Sequence, residues 1–247
     1  MRTFGLLGRS LAHSFSQAYF SQKFDRLGLS DCHYELFELA EPSELPQLLA
    51  SQPDLAGLNV TIPYKEQVWP YLTRVAPSAA LVGAVNVIEF AADGSLIGHN
   101  TDYIGFRDSL RKFYPVSAPN RRALVLGTGG AAKAVAVALR ELEIPHWLVS
   151  RDANSAGLTY AELTPELLAA HSLLINTTPL GTYPNVEECP LLPYAALTPQ
   201  HYLFDLVYNP RETLFLQRGH AAGAHVQNGF EMLELQAEAA WAIWTNS

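Results

Sequence analysis

An apolar strand that leads directly into a glycine-rich turn and a helix limits the folds available to this chain. Ala123–Leu126 is wholly apolar, the turn Gly127-Thr128-Gly129-Gly130-Ala131-Ala132 follows it, and residues 131–142 have the pattern of a helix. Three later segments are also apolar on both faces, at 147–149, 173–176 and 202–207. Strands without a polar face that alternate with helices are typical of a parallel sheet covered on both sides. The second half of the chain therefore predicts a doubly wound α/β domain.

The first half also alternates strands and helices, which predicts a second α/β layer. Residues 3–7 form a short apolar strand, and Ser14 and Ser16 are placed to cap a helix that Gly28 ends. Leu55–Val60 is a buried strand closed by Pro63. Further strands are predicted at 33–37, 84–90 and 95–98, and further helices at 42–49, from residue 102 onward, and at 230–244.

The composition indicates a globular chain rather than a disordered one. Of its 247 residues, 49% are hydrophobic and 16% charged, and the net charge is −8. This charge argues against nucleic acid as a partner, because phosphate binding requires clustered Lys and Arg. No apolar run approaches the roughly 18 residues of a membrane span, and residues 1–8 are too short for a signal peptide.

We therefore expect a soluble, cytoplasmic protein. Cys32 and Cys189 are far apart and lack the spacing of metal ligands. Two free thiols are the expected state, with a disulfide as the open alternative. The eight histidines form no metal-ligand cluster in the sequence, so no metal is expected.

The glycine turn has the spacing and the context of a dinucleotide-binding site. Gly127 permits the tight turn, Gly129 lets the backbone approach a pyrophosphate, and Ala132 keeps helix and strand close. The first N–H groups of the helix are then available to phosphate oxygens. An ordinary glycine-rich loop is the alternative, but the order strand, turn, helix favours a Rossmann-like nucleotide domain.

The end of the next strand bears on the choice between NAD and NADP. The chain has Ser150-Arg151-Asp152 there. An arginine at this position accommodates the 2′-phosphate of NADP, whereas an acidic residue binds the ribose hydroxyl of NAD. Asp152 either repels that phosphate or pairs with Arg151, and Arg151 is also compatible with a solvated loop charge. The sequence predicts NADP.

Other residues at the same edge of the sheet are expected to contribute. Thr177 and Thr178 follow the strand 173–176 and are either cofactor neighbours or turn formers. The predicted cofactor contacts are Gly127, Thr128, Gly129, Gly130, Ala131, Ser150, Arg151, Thr177, Thr178, Val207 and Gly229.

Two ionisable residues of the first half carry little information alone. Lys65 follows Pro63 near the start of a predicted helix, and Asp102 begins another helix. A helical lysine is usually solvated, and an aspartate at this position is often a helix cap.

Seven short strings in order, however, resemble the shikimate dehydrogenase family from Gly8 to Gln236. The strings are Ala12-His13-Ser14-x-Ser16, Asn59-Val60-Thr61-x-Pro63-x-Lys65, Gly83-Ala84-Val85-Asn86, Asn100-Thr101-Asp102, Gly127-x-Gly129-Gly130-Ala131, Tyr208-Asn209-Pro210 and Gly229-Phe230-Glu231-Met232-Leu233-x-x-Gln236.

The resemblance implies roles for individual residues. Ser14 and Ser16, with Thr61 nearby, would hold a substrate carboxylate. Four further residues would contact the substrate, with Tyr208 closing over it: Asn86, Asp102, Gln236 and Tyr208. Lys65 would be the main acid–base residue, paired with Asp102, since an ammonium stabilises the charge that hydride transfer places on a ketone oxygen.

The chain departs from the family pattern at several positions. Arg9-Ser10 replaces an Asn-Pro pair, Gln17 replaces a proline, Phe20-Ser21 replaces a His-Asn pair, and Ser150-Arg151-Asp152 replaces Asn-Arg-Thr. The first three departures leave the serine hydroxyls in place, and the last bears on the cofactor. None removes a residue with an implied catalytic role.

The resemblance implies NADP-dependent, reversible reduction of 3-dehydroshikimate to shikimate in aromatic amino acid biosynthesis. An NAD-dependent quinate/shikimate dehydrogenase is the nearest alternative. A non-catalytic shikimate or nucleotide sensor and another two-domain dehydrogenase, such as one acting on a folate, are less favoured.

The expected substrate domain is 1–103 completed by the returning helix of 228–247, and the expected nucleotide domain is 104–227. The active site would lie in the cleft between them and close over both ligands. The expected state is a monomer or homodimer.

Overall fold

The structure, a computed structural model, describes residues 1–12, 14–152 and 157–246. His13, which belongs to one of the seven strings, lies outside the described residues. The chain divides into two compact units, one of Met1–Thr101 with Ala237–Ser247 and the other of Asp102–Gln236. The domain limits predicted at 103/104 and 227/228 stay predictions.

The first unit contains a mixed six-stranded sheet. Its strands are β1 (Arg2–Gly8), β2 (Cys32–Glu38), β3 (Leu55–Val60), β4 (Arg74–Val75), β5 (Val87–Phe90) and β6 (Leu96–His99). Their order in the sheet is β2-β1-β3-β5-β6-β4. β1 is parallel to β2 and β3, whereas β5 is antiparallel to both of its neighbours. The carboxyl ends of β1 and β3 therefore lie at one edge of the sheet.

The helices of the first unit include part of the last helix of the chain. They are α1 (Ser16–Leu27), α2 (Leu45–Ser51), α3 (Pro77–Val82) and the end of α8 (Phe230–Thr245), with 3-10 helices at Pro42–Glu44 and Trp69–Tyr71. Trp244 packs on the rings of Phe4 and Phe20, and its indole N–H donates to the Ile88 carbonyl oxygen at 3.1 Å. The predicted return of the last helix to the first part of the chain is therefore confirmed.

The second unit contains an all-parallel six-stranded sheet. Its strands are β7 (Ala123–Leu126), β8 (His146–Ser150), β9 (Leu158–Thr159), β10 (Leu173–Asn176), β11 (Tyr202–Asp205) and β12 (His225–Gln227), in the order β12-β11-β10-β7-β8-β9. Its complete helices are α4 (Asp102–Phe113), α5 (Gly130–Glu141), α6 (Pro165–Ala169) and α7 (Leu214–Ala221), with 3-10 helices at Tyr160–Glu162 and Tyr194–Ala196.

Burial on both faces of this sheet explains its continuous apolar strands. In β7, Val125 packs into one hydrophobic cluster, and Leu124 and Leu126 pack into another. Successive side chains of a strand point to opposite faces, so a sheet covered on both sides requires apolar residues at every position. The predicted doubly wound α/β fold is confirmed.

Two local predictions were wrong. Lys65 lies in a series of turns that precedes the 3-10 helix Trp69–Tyr71, and not at the start of a regular helix. The cap residue of α1 is Phe15, without a side-chain cap; Ser14 instead accepts the Ser16 N–H on its hydroxyl oxygen at 3.2 Å.

Among the helices that the structure describes, none combines the length and the apolar character needed to cross a bilayer.

Candidate active site

The carboxyl ends of β7, β8 and β10 surround a cavity of about 740 Å³ in the second unit. Seven of the predicted cofactor residues line it: Gly127, Thr128, Gly129, Ser150, Arg151, Thr177 and Thr178. Gly130 and Ala131 follow directly, in the first turn of α5. The cavity thus lies where ligands bind in open parallel sheets.

The glycine turn has a shape that only glycine permits at its first position. Gly127 has φ of 116°, and a Cβ atom there would lie 2.6 Å from the Thr177 hydroxyl oxygen. The Thr177 hydroxyl donates to the Leu126 carbonyl oxygen at 2.7 Å, which fixes the turn after β10 against the turn after β7. Thr177 therefore lines the cavity and also holds its wall.

The helix that follows the turn begins without a side-chain cap. Gly129 is the cap residue of α5, and a Cβ added to it would meet no atom within 4 Å. The first N–H groups of an α-helix have no partner within the helix. A phosphate group that enters the cavity therefore has an unobstructed approach to these donors.

Ser150, Arg151 and Asp152 take different positions after β8. Ser150 is buried, and its hydroxyl oxygen accepts the Asp152 N–H at 3.1 Å. Arg151 and Asp152 are both exposed. Of the residues that the structure describes, Arg151 lines the cavity and Asp152 does not.

Val207 and Tyr208 follow β11 and Gly229 follows β12, and none of the three lines this cavity. The buried carboxylate of Asp205 accepts the Val207 N–H at 3.0 Å and the Thr213 hydroxyl at 2.5 Å. Burial raises the pKa of Asp205 to about 6, although its hydrogen bonds act in the opposite direction. The Gly229 N–H donates to the Val207 carbonyl oxygen at 3.2 Å. Burial also raises the pKa of the Tyr208 phenol.

Asp102 and Gln236 belong to neighbouring helices of the second unit. Asp102 is the first residue of α4, and Gly105 lies one turn further along that helix. A Cβ on Gly105 would lie 2.9 Å from the Gln236 main-chain nitrogen, so α4 and α8 pack almost backbone to backbone there. The Gln236 side-chain amide donates to the Leu233 carbonyl oxygen at 2.9 Å.

The two serines and Thr61 follow neighbouring strands of the first unit. Ser14 and Ser16 come after β1, and Thr61 comes directly after β3, where its N–H donates to the Leu7 carbonyl oxygen at 2.9 Å. All three residues are partly exposed. Because β1 and β3 are parallel neighbours, Ser14, Ser16 at the start of α1, and Thr61 all follow strand ends at one edge of the sheet.

Hydrogen bonds join three of the matched strings in the first unit. The Lys65 carbonyl oxygen accepts the Val85 N–H at 2.7 Å. The buried Asn86 accepts the Thr101 N–H on its amide oxygen at 2.7 Å and donates to the Thr101 hydroxyl oxygen at 3.0 Å. Lys65, Asn86 and the residue that precedes Asp102 are thereby brought together. The catalytic pairing of Lys65 with Asp102 stays a prediction.

Sequence reasoning missed several residues of these two regions. The fully buried Tyr34 donates to the Asn59 amide oxygen at 2.8 Å and contacts Ser16, and burial raises the pKa of its phenol. Tyr160 and Leu191 line the cavity of the second unit. Asn59 stood in a matched string, but Tyr34 and Tyr160 had no signal in the sequence, since strand pairing places them.

Within the described part of the chain, no group of three or more His, Cys, Asp or Glu side chains is arranged to hold a metal ion. Cys32 is buried and Cys189 half-buried, and both are free thiols.

Comparison with known proteins identifies the family. Residues 6–88 match the family model described as the shikimate dehydrogenase substrate binding domain. The chain is 37% identical to the shikimate dehydrogenase (NADP(+)) of Carboxydothermus hydrogenoformans, with 98% of this chain and 90% of the relative covered. An oxidoreductase with a two-sheet α/β fold is the class that this fold and these matches define. The chain belongs to the shikimate dehydrogenase family, as its seven strings predicted.

Solved structures agree with this assignment. Shikimate 5-dehydrogenase from Thermus thermophilus, in complex with NADP(H) and shikimate, has a TM-score of 0.86 and 34% identity, with 100% of this chain and 94% of that one covered. Quinate dehydrogenase from Corynebacterium glutamicum, in complex with NAD, has a TM-score of 0.88 and 27% identity over 100% and 94% of the two chains.

Proposed function

We propose that this protein catalyses the NADP-dependent, reversible reduction of 3-dehydroshikimate to shikimate. Relatives that are named NADP-dependent shikimate dehydrogenases match it over 98% of its length. The observation that carries the cofactor assignment is the position of Arg151, which lines the nucleotide cavity directly after β8. A planar guanidinium suits a 2′-phosphate because it donates two parallel hydrogen bonds.

The residues of the first unit suit the acid that is reduced. Ser14, Ser16 and Thr61 offer neutral hydroxyls, which form short, strong hydrogen bonds with a carboxylate. Asn86 is oriented by its bonds to Thr101, so its amide is fixed before any substrate arrives. In this proposal the serines and Thr61 hold the carboxylate, and Asn86 and Gln236 hold ring hydroxyls, with Tyr208 closing over the ring.

Lys65 and Asp102 supply the acid–base step of the proposal. NADPH, when bound, supplies the hydride that reaches the carbonyl carbon of the substrate. The Lys65 ammonium donates a proton to the carbonyl oxygen as negative charge develops there, and it recovers that proton in the reverse direction. Asp102 keeps the ammonium positioned and accepts a hydrogen bond from a neighbouring substrate hydroxyl.

An NAD-dependent quinate/shikimate dehydrogenase is the second candidate. Two observations favour it: the similarity to a quinate dehydrogenase in complex with NAD, and the carboxylate of Asp152 next to Arg151. The two candidates differ in both cofactor and acid.

Steady-state rates of reduced-nicotinamide formation test the proposal. Purified protein is assayed with shikimate and with quinate, each with NADP and with NAD. The proposal predicts the highest kcat/KM for shikimate with NADP. A preference for quinate with NAD would establish the second candidate, and binding of both ligands without turnover would point to a sensor.

A further inference from the structure

The outermost strand of the second sheet places a tyrosine beside Arg151. β9 pairs in parallel with β8, and the register aligns Val149 with Leu158 and Ser150 with Thr159. Arg151 and Tyr160 are therefore the residues that directly follow two adjacent strands, at the edge where the cavity opens. Both line that cavity, and the Arg151 charge acts on the Tyr160 phenol.

The local structure holds Tyr160 in place. Glu162 accepts the Thr159 N–H and the Thr159 hydroxyl, each at 2.7 Å, so the 3-10 helix that begins at Tyr160 has a capping box. The Tyr160 ring packs against the cluster that includes the buried Leu163. Tyr160 therefore packs on the core of the second unit and also lines the cavity. A phenol is protonated at neutral pH and can donate a hydrogen bond, and burial raises the pKa of this one further.

The order of the strands separates Arg151 and Tyr160 from the glycine turn. The glycine turn follows β7, Arg151 follows β8, and Tyr160 follows β9, so two strand spacings separate the turn from Tyr160. Neighbouring strands lie about 4.8 Å apart, which gives about 10 Å. Apolar groups complete this part of the cavity, among them Ala161 and the largely exposed Leu191.

We propose that Tyr160 is a specificity-determining residue of the nucleotide cavity: its hydroxyl, together with the Arg151 guanidinium, holds the 2′-phosphate that distinguishes NADP from NAD. This inference rests on the proposed NADP-dependent function. Asp152 supplies one negative charge next to Arg151 in the chain, which weakens Arg151 as a sole selector of a phosphate. A neutral donor directly after the adjacent strand restores the preference, because a hydroxyl attracts the phosphate and carries no charge of its own.

Direct binding of two nucleotides tests this role. Adenosine 2′,5′-bisphosphate and 5′-AMP differ only in the 2′-phosphate, and calorimetry with the full chain measures the affinity for each. Tyr160→Phe removes the hydroxyl and keeps the ring. We expect affinity for the bisphosphate to fall about tenfold and affinity for 5′-AMP to stay unchanged, since a hydrogen bond to a charged group is lost only with the first.

Tyr202→Phe is the matched control. Tyr202 begins β11 and pairs with Leu173 at the start of β10, at the edge of the sheet opposite the cavity. The Tyr202→Phe variant should bind the bisphosphate and 5′-AMP with wild-type affinity. Arg151→Gln serves as the positive control and should also reduce affinity for the bisphosphate alone.

The outcomes separate this inference from the proposed function. Wild-type preference for the bisphosphate that Tyr160→Phe leaves intact would overturn the role of Tyr160 and retain the NADP assignment. An equal loss for both nucleotides would also overturn it, because the hydroxyl would then support the cavity rather than select a phosphate. Wild-type protein without any preference would overturn both this inference and the NADP assignment.

Discussion

Lys65 has two separate roles: its main chain anchors a neighbouring segment of the first unit, and its side chain is the proposed general acid. Its carbonyl oxygen, not its side chain, accepts the Val85 N–H. Lys65→Ala therefore removes the ammonium and keeps this backbone anchor. We expect kcat to fall about 10²–10⁴-fold, the usual contribution of a general acid, with little change in the KM for shikimate.

A surface lysine provides the control for this variant. Lys112 is 62% exposed and pairs with Glu231 on the surface of the second unit. Lys112→Ala should leave kcat unchanged in the same assay. A Lys65→Ala enzyme with wild-type kcat would remove Lys65 from the acid–base step.

Asp205 gives the stability of the protein a specific pH dependence. Its pKa is raised from 3.8 to about 6 in the folded state, so the folded protein binds this proton more tightly than the unfolded chain does. The stabilisation that the protonated Asp205 gives the folded state is therefore fully present below about pH 4, and it is lost as the pH rises through about 6. A shift of this size corresponds to about 3 kcal/mol.

Comparison with Asp205→Asn isolates this effect, because the asparagine does not titrate. Urea unfolding of both proteins between about pH 4 and pH 7 gives the difference in the free energy of unfolding. We expect wild type to lose stability relative to the variant as the pH rises across this interval. A difference that stays constant would show that Asp205 titrates normally.

At the scale of elements, α1 and the end of α8 are joined by a polar contact inside an aromatic layer. Lys23, only 6% exposed, donates to Glu238 at 2.5 Å, and Tyr19 also donates to Glu238. Burial alone would raise the pKa of Glu238, but these bonds hold it below its usual value. The Lys23 ammonium also lies 5.8 Å from the Trp241 ring centroid.

The two partners of this ion pair should respond differently to substitution. Glu238→Gln leaves a buried ammonium without its counter-charge, and we expect a loss of about 2 kcal/mol, between the values for exposed and fully buried pairs. Lys23→Met removes the charge and keeps the apolar stem, so we expect less than about 1 kcal/mol.

Chemical denaturation of the two variants checks this asymmetry. Asp31→Asn is the control, since Asp31 pairs with Arg2 at a site where both side chains are largely exposed. It should change stability little. Equal losses in Glu238→Gln and Lys23→Met would contradict a role for the buried charge.

Element by element, the sequence predicted what local chemistry specifies and missed what tertiary contacts specify. The limits of Leu55–Val60, Ala123–Leu126 and Leu173–Asn176 were predicted correctly, because mostly apolar segments there are followed by polar, glycine or proline residues. The two-residue strands β4 and β9 were not predicted, because pairing with a neighbour is what makes them strands. Tyr160 follows β9, so its place in the cavity had no local signal.

The candidate site also divides into features that local sequence specifies and features that it does not. The glycine turn follows from residue types, since only glycine tolerates the geometry of Gly127. The functional interpretation of Lys65 and Asp102 came from the order of the seven strings and not from their surroundings. The turns around Lys65 were missed because the prolines and polar residues there are compatible with a helix start as well.

At the scale of the whole molecule, each compact unit has its own hydrophobic core. Two clusters lie in the first unit, around Leu58 and Phe4, and two lie in the second, around Leu124 and Val125. The carboxylate-binding hydroxyls of the proposal belong to the first unit and the nucleotide cavity to the second. NADP is therefore expected to stabilise the glycine turn of the second unit, and the acid is expected to stabilise the segments of the first unit that hold its carboxylate.

Hydrogen exchange of the full chain with single ligands tests this division. NADP alone should slow amide exchange in β7, the first turn of α5 and the end of β8, because its phosphates occupy the donors of the glycine turn and ligand binding suppresses local opening. Shikimate alone should slow exchange after β1 and β3, around Ser16 and Thr61. The reverse pattern, in which NADP protects the ends of β1 and β3 and leaves the glycine turn unchanged, would show that the assignment of the two ligands to the two units is wrong.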